Sequence, residues 1–485
     1  MSGAGEVEEL RERLAALERV LSERDELIAS LHAQLDASRA RVAELEARLG
    51  MNSGNSSKPP ASDSPFEKPA PKSLRGRSGR KPGGQPGHEG RTLRQVADPD
   101  EVIVHEPGAC RCCGADLSGR PVSSVTRRQS FDIPPVKIIV TEHRMREREC
   151  ACGARTRADA PYGVLAPVSY GPRVGAIVVY LYAGQMLSKD RTATAVAELF
   201  DTPVSAGTVA TLARRAADGL HSFLDLVRER IAGAGVAHFD ETGLRVAGKL
   251  RWVHSASTHD YSLITCHDKR GVAAMDDAGV LPGFTGVAVH DAWAPYDTYT
   301  DADHALCNAH ALRELQAVTD SHADDADPDQ CWSAQLSEVL RAMKDLVDTA
   351  PESDLGLAGI DHAALDVARA RYRAAARAGL DQTAARENKL TRKHHALAKR
   401  LIKREDDYLR FTSDPKVSFD NNAAEREIRM IKLRQKVSGC LRTTSGAEQF
   451  CAIRSYVATA RKHDLSLFNA LTSLAEGHPW LPSTT

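Results

Sequence analysis

Three patterns in these 485 residues predict a multidomain α/β protein. They are a heptad repeat near the start, two groups of cysteines flanking a β-like stretch, and a strand, strand, strand, helix, strand succession after Gly235. The length suits about three domains of ~150 residues. At 42% hydrophobic and 27% charged, the composition excludes disorder throughout. The longest apolar stretch, Val174 to Leu187, has 14 residues and is interrupted by Gln185. A bilayer span takes ~20, so no membrane partner is expected. The opening Met1-Ser2-Gly3-Ala4-Gly5-Glu6 lacks a basic segment followed by an apolar one. A cytoplasmic location is therefore expected.

Residues 1–50 carry the heptad. Leu10, Leu14, Leu17, Leu21, Arg24, Ile28, Leu31, Leu35, Ser38, Val42, Leu45 and Leu49 recur at alternating four and three, and ten of these twelve are apolar. That period makes a left-handed coiled coil, with self-association as its consequence. The alternative is one amphipathic helix packed on its own domain. Residues 51–100 are too rich in Gly, Pro and Ser for a core and read as a linker. The net charge of the chain is −1, but from Lys58 to Arg94 nine basic residues face three acids. Arg80 and Lys81 in this arm are candidate DNA contacts, because a +6 tether suits a phosphate backbone.

Residues 101–160 hold Cys110-Arg111-Cys112-Cys113-Gly114, a strand-like stretch from Arg127 to Glu142, and Cys150-Ala151-Cys152-Gly153. Four thiolates suit tetrahedral Zn²⁺, and a module this small has little core without it. The expected ligands are Cys110, Cys113, Cys150 and Cys152, with Cys112 competing with Cys113. The spacing resembles a zinc ribbon, and Zn²⁺ would be structural. In residues 161–234 the pattern is helical. Asp190 to Phe200, a Thr202-Pro203-Val204-Ser205 turn and a helix from Ala206 to Ala217 have a helix-turn-helix outline, with Ser205 as N-cap. A packed helical hairpin gives the same outline.

Residues 235–460 carry the chemistry. Val236 to Thr242 reads as a buried strand delivering Asp240, and Gly286 to Asp291 as another delivering Asp291. Leu250 to Ser257 and Tyr261 to His267 are strands between them, and Ala273 to Gly279 a helix. This order is that of a ribonuclease-H-like (retroviral-integrase-like) sheet, in which the first and fourth strands are neighbours. Asp240 and Asp291 would then meet. Paired carboxylates on strand ends suit Mg²⁺ or Mn²⁺, and a third acid completes a two-metal centre for attack on a phosphodiester. Glu425 is the candidate, in Asp420-Asn421-Asn422-Ala423-Ala424-Glu425-Arg426. Asn422 with Glu425 also forms a capping box, which needs no catalysis.

Taken together, Gly79 to His88, Phe131-Asp132-Ile133-Pro134-Pro135, Asp240-Glu241-Thr242, His290-Asp291-Ala292-Trp293, Asp420 to Arg426 and Ser438-Gly439 closely resemble the transposases of the bacterial insertion sequence sixty-six family. So does Asn52 to Pro60. The resemblance implies a DDE transposase with Asp240, Asp291 and Glu425 as metal-binding triad. It further implies binding to terminal inverted repeats, cleavage, joining of 3′-hydroxyls to target DNA, small accessory proteins of the element, and a place at the bacterial nucleoid. The family's zinc pairs are often Cys-x-x-Cys, from which Cys150 and Cys152 depart.

Asp291 and Glu425 are 134 residues apart, far more than the sheet needs, so an α-helical insertion is expected over about 317–408. Its Lys389 to Arg404 run has seven basic residues and no acid, and reads as a DNA-facing or simply solvated helix. Cys307 and His310 stand three apart at a strand-to-helix junction. They could share a metal, His310 could position DNA, or both could be structural. Arg426, Arg429, Lys432, Arg434 and Lys436, with Arg442, follow Glu425 as candidate phosphate contacts. Residues 461–485 read as a C-terminal tail. A nuclease that cuts without joining, or a zinc-containing DNA-binding regulator derived from a transposase, are the competing readings.

Overall fold

The structure, a computed structural model, describes residues 3–483 except 52–54, 56–92, 135, 137, 162, 165, 323–330, 351–358 and 387. Arg80 and Lys81 lie outside the described residues. Helix α1 runs from Gly3 to Leu49. Leu14, Leu17, Leu21, Ile28, Leu31, Leu35 and Leu45 of its heptad seam are exposed along the single chain.

The cysteine module is built from turns rather than a laddered sheet. A two-stranded ribbon, β1 (Glu147–Glu149) and β2 (Arg155–Arg157), brackets the second cysteine pair. The described part of the expected strand from Arg127 to Glu142 makes no ladder, and Ile133, Ile139 and Val140 face solvent. Its β-type composition has no partner strand to hold it flat.

Helices α2 (Pro172–Val179), α3 (Lys189–Phe200), α4 (Ala206–Asp218) and α5 (His221–Ala232) follow. The α3–α4 turn bears out the helix-turn-helix outline locally. The Ser205 hydroxyl accepts from the Thr208 N–H at 3.0 Å, and Asp201 ends α3 in the left-handed region.

Five strands form the central sheet: β3 (Val236–Val246), β4 (Lys249–Ser257), β5 (Ser262–His267), β6 (Val287–His290) and β7 (Asp303–Leu306). Their order is β5-β4-β3-β6-β7. The first three are antiparallel, and β6 and β7 run parallel to β3. Helix α6 (Val272–Ala278) makes the crossover. Gly286 is required where β6 begins, because a Cβ there would meet the Ala234 carbonyl oxygen at 2.4 Å.

Two cores sandwich the sheet. On one side α2 to α5 pack with α13 (Thr444–Lys462) and α14 (Leu467–Ala475) around Phe223, Phe450 and Tyr456. Ser455 and Thr459 of α13 accept the Ile264 and Ser262 N–H groups of the edge strand β5, which covers an otherwise open ladder. On the other side lies a second core around Trp332, Leu336 and Tyr372. It is built by α7 (Asn308–Asp320), α8 (Trp332–Asp348), α9 (His362–Gln382), α10 (Lys389–Lys403) and α11 (Glu405–Leu409). The described residues between 308 and 409 are thus mainly helical, as the composition of this interval leads one to expect. Helix α12 (Asn422–Ser438) returns the chain to β3.

Candidate active site

Parallel pairing of β3 with β6 matches His238 to Val289. Two residues further along the same register, Asp240 stands beside Asp291. Asp291 follows the last residue of β6, but Asp240 lies inside β3, which runs on to Val246 because its pairing with β4 continues past the expected end at Thr242. Asp240 is drawn on by few groups. The Glu241 N–H reaches its Oδ1 at 2.9 Å, while burial and the charges of Glu241, Asp291 and Glu425 push its pKa well up. Burial also raises Asp291, opposed by the Trp293 N–H at 3.1 Å and the Arg270 charge. Ala292, between Asp291 and Trp293, is held at φ +63°, a strained turn beside the Asp291 carboxylate.

The third acid comes from α12. Helix packing is set by Asn421, which is fully buried. Its amide donates to the Phe239 carbonyl at 2.7 Å, and its oxygen accepts from His238 Nδ1 at 3.0 Å. The helix therefore starts one residue earlier than the capping-box reading has it. Asn421, not Asn422, occupies the cap position, and its side chain is committed to β3 rather than to the helix N–H groups. Asn422 instead bonds Asp420. What fixes Glu425 is thus a bond to the strand that carries Asp240.

Glu425 sits among two guanidinium groups and an imidazole. Arg429 lies at 2.9 Å, Arg313 at 3.6 Å and His310 Nδ1 at 3.8 Å. Its charge reaches Asp240, so the three acids share one electrostatic neighbourhood. His310 is kept neutral, near pKa 3, by burial and the charges of Arg313 and Arg400. Cys307 is buried, which pushes its thiol up to about 12, and its sulfur accepts the Asn421 N–H at 3.2 Å.

The neighbouring acids are spent differently. Glu241 accepts two bonds from Arg270, at 2.9 and 2.6 Å, and one from Tyr296 at 2.7 Å. The Arg270 guanidinium lies between Trp252 and Trp293, 5.0 and 3.9 Å from their ring centres. Glu427 faces inward, 3.6 Å from Arg454, which is only 1% exposed.

Of the cations after Glu425, Arg426, Arg429 and Lys436 are exposed. Lys432 is half-buried and donates to the Gly243 carbonyl at 2.8 Å. Arg434 is a core residue, 4% exposed between the rings of Tyr182 and Phe450, and its burial removes it from the phosphate-facing set. Arg400 of α10 and Arg404 just after it are engaged with Glu314 and Asp297, while Arg392, Lys393, Lys399 and Lys403 of α10 remain exposed.

In the cysteine module two similar turns appear. The Gly114 N–H returns to the Cys110 carbonyl and the Gly153 N–H to that of Cys150, both glycines at positive φ. N–H groups of Cys113 and Cys112 lower the Cys110 thiol, and that of Cys152 lowers Cys150. Thiolates so favoured fit a cation. The four cysteines are not gathered into one tight cluster, however. Among the described residues, the group of donors within 4.8 Å of one another is Cys307, His310 and Glu425.

Comparison with known proteins follows this geometry. Residues 167–449 match the profile described as "Transposase IS66 family", which covers more than half of the chain and includes all three acids. The chain belongs to the IS66 transposase family. Residues 107–153 match the zinc-finger binding domain of transposase IS66, so this transposase carries a zinc-binding module where the paired cysteines stand. Residues 4–94 match a family of unknown function, DUF6444. A protein of Sinorhizobium fredii (strain NBRC 101917 / NGR234), the uncharacterized protein y4hP, is 20% identical over 407 residues, covering 78% of this chain and 73% of its own. As a transposase of an insertion sequence, the protein acts on DNA. Among its described residues no helix is long and apolar enough to cross a membrane.

Proposed function

We propose that this transposase binds the terminal inverted repeats of its element, cleaves there, and joins the 3′-hydroxyls to target DNA at a centre formed by Asp240, Asp291 and Glu425. The observation that carries this is the burial of Asp240 beside Asp291, with pKa values raised by burial and, for Asp240, by neighbouring carboxylate charge. A charge cluster of that kind, with oxygen donors alone, fits Mg²⁺ or Mn²⁺. The sheet order supports reading the fold as ribonuclease-H-like, with residues 235–460 as the catalytic domain.

When bound, the divalent ions would supply the positive charge that a pentacoordinate phosphate needs and would acidify the attacking hydroxyl. The chain's own residues do the rest. Asn421 locks α12 to β3, which holds Glu425 where its charge acts on Asp240. The Glu241–Arg270–Trp293 stack fixes the turn that carries Asp291. Exposed Arg426, Arg429 and Lys436 would hold strand phosphates, aided by the free cations of α10. His310, neutral beside Glu425, would orient a DNA end.

Around this centre we assign residues 1–50 to a self-associating coiled coil and 51–100 to a basic linker. We assign 101–160 to a ribbon held by Zn²⁺ on Cys110, Cys113, Cys150 and Cys152, and 161–234 to helical DNA binding. Accessory proteins of the element would act with it. The test is strand transfer. With a labelled end-containing oligonucleotide and Mg²⁺, the protein should cleave and then join the labelled strand to a second duplex. Cleavage without joining would identify a nuclease instead.

A further inference from the structure

One donor cluster contains a thiol that this mechanism does not use, beside Glu425 and His310. Cys307 and His310 lie three apart at the start of α7, and a spacing of three puts both side chains on one helix face. The sulfur, an imidazole nitrogen and a Glu425 oxygen lie within 4.8 Å of one another. His310 Nδ1 is buried with no hydrogen-bond partner, although it points at Glu425 Oε1 from 3.8 Å. An imidazole nitrogen left without a partner in a buried site calls for explanation. A thiol serving only as a core apolar group would leave that nitrogen just as unsatisfied.

We infer that Cys307, His310 and Glu425 form a second metal site, suited to Zn²⁺ and similar soft ions, which takes Glu425 away from the catalytic centre when it is filled. The chemistry of the donors carries the selectivity. Sulfur and nitrogen ligands suit Zn²⁺, whereas Mg²⁺ takes oxygen alone. On binding, the thiol loses its proton to solvent, and one thiolate with one carboxylate offsets the dication, while Arg313 and Arg429 beside Glu425 weaken the hold on it. Three protein ligands leave the fourth tetrahedral position for water. The Asn421 N–H, 3.2 Å from the Cys307 sulfur, stabilises the thiolate and fixes its direction.

Exclusion follows from the single carboxylate. Oε1 of Glu425 faces His310, and Oε2 is held by Arg429. A soft ion on Oε1 therefore competes with ions held by Asp240 and Asp291. This competition, unlike the site itself, rests on the assignment of Glu425 to catalysis.

The experiment uses the full-length chain, saturated with Zn²⁺, freed of loose metal and analysed for zinc per chain. Cys307→Ser, which keeps an acceptor for the Asn421 N–H, and His310→Asn should each hold one ion fewer than the parent. Co²⁺ substitution should show a thiolate-to-metal charge-transfer band that weakens in Cys307→Ser, with the contribution of the paired cysteines intact. Zinc content equal to the parent's in both folded variants overturns the site. In parallel, Zn²⁺ should suppress Mg²⁺-dependent cleavage by the parent. If the ion count falls as expected but zinc leaves cleavage undiminished, the shared carboxylate is refuted. If the parent does not cleave with Mg²⁺ at all, the catalytic reading fails while the ion count still decides the site.

Discussion

Asp240, half-buried, and Glu241, buried, are consecutive residues on opposite faces of one strand, and their partners differ. Glu241 has a guanidinium and a phenol bonded to it, which oppose the upward push of burial and the Asp291 charge on its pKa. Asp240 has a single backbone N–H and the repulsion of other acids. A buried carboxylate with its own arginine is a structural part. One facing only other carboxylates awaits a cation from outside. The same contrast separates Glu427, paired with Arg454, from Glu425, whose cations approach from the rim.

The sharpest way to break this contrast is to neutralise each side. Asp240→Asn and Asp291→Asn should lower Mg²⁺-dependent cleavage at least about a hundredfold, as loss of a charged transition-state contact typically does, while gel-shift binding of DNA persists. Unaltered cleavage rates in either variant would remove the aspartates from the centre. Glu241→Gln should act through the fold instead. Losing one member of a buried pair costs about 3–5 kcal/mol, reduced here to roughly 2 because the Arg270 side chain keeps 35% exposure. Urea unfolding should show this, with residual cleavage tracking the folded fraction. Glu427→Gln should cost more, because Arg454 is sealed in the core.

A smaller effect concerns pH in the absence of metal. The folded-state pKa values of Asp240 and Asp291 are raised, so the native state binds more protons than the unfolded one above about pH 4. Metal-free stability should therefore fall as pH rises from there through the raised values, and Asp240→Asn should flatten the decline. Thermal melts in chelator across pH check the sign. A stability that rose through that window in the parent would mean the acids are already compensated. The smallest change to the centre should come from deleting residues 1–50, which contact it nowhere in the proposed mechanism. That deletion should lower oligomer mass by light scattering, and a mass per particle that falls only by the deleted residues would rule out the coiled coil.

How much of this was legible beforehand follows the range of each interaction. The strands that carry Asp240 and lead to Asp291 announce themselves by apolar runs, and Ser205 by its place before a helix, because these depend on near neighbours, whereas the extension of β3 to Val246 depends on pairing with β4. The cap of α12 does not. Asn421 and Asn422 are equally good in sequence, and a bond to Phe239 across the fold decides between them. Arg434 reads as one more cation in a basic helix, and only the rings of Tyr182 and Phe450, far away in sequence, reveal it as core. The stretch from Arg127 to Glu142 has strand composition but finds no strand to pair with. Glu241 and Glu427 look like surface acids until Arg270 and Arg454 arrive.

Glu425 tests the account most directly, because Arg313, Arg429 and His310 around it would equally suit a carboxylate that only ties α12 to α7. The measurement is the single-turnover rate of Mg²⁺-dependent cleavage of an end-containing duplex, per folded molecule, for Glu425→Gln beside Glu427→Gln. The account predicts that Glu425→Gln folds, binds DNA and is nearly inert, while Glu427→Gln is less stable but cuts at close to the parental rate. Parental cleavage by Glu425→Gln together with an inert, folded Glu427→Gln would contradict it.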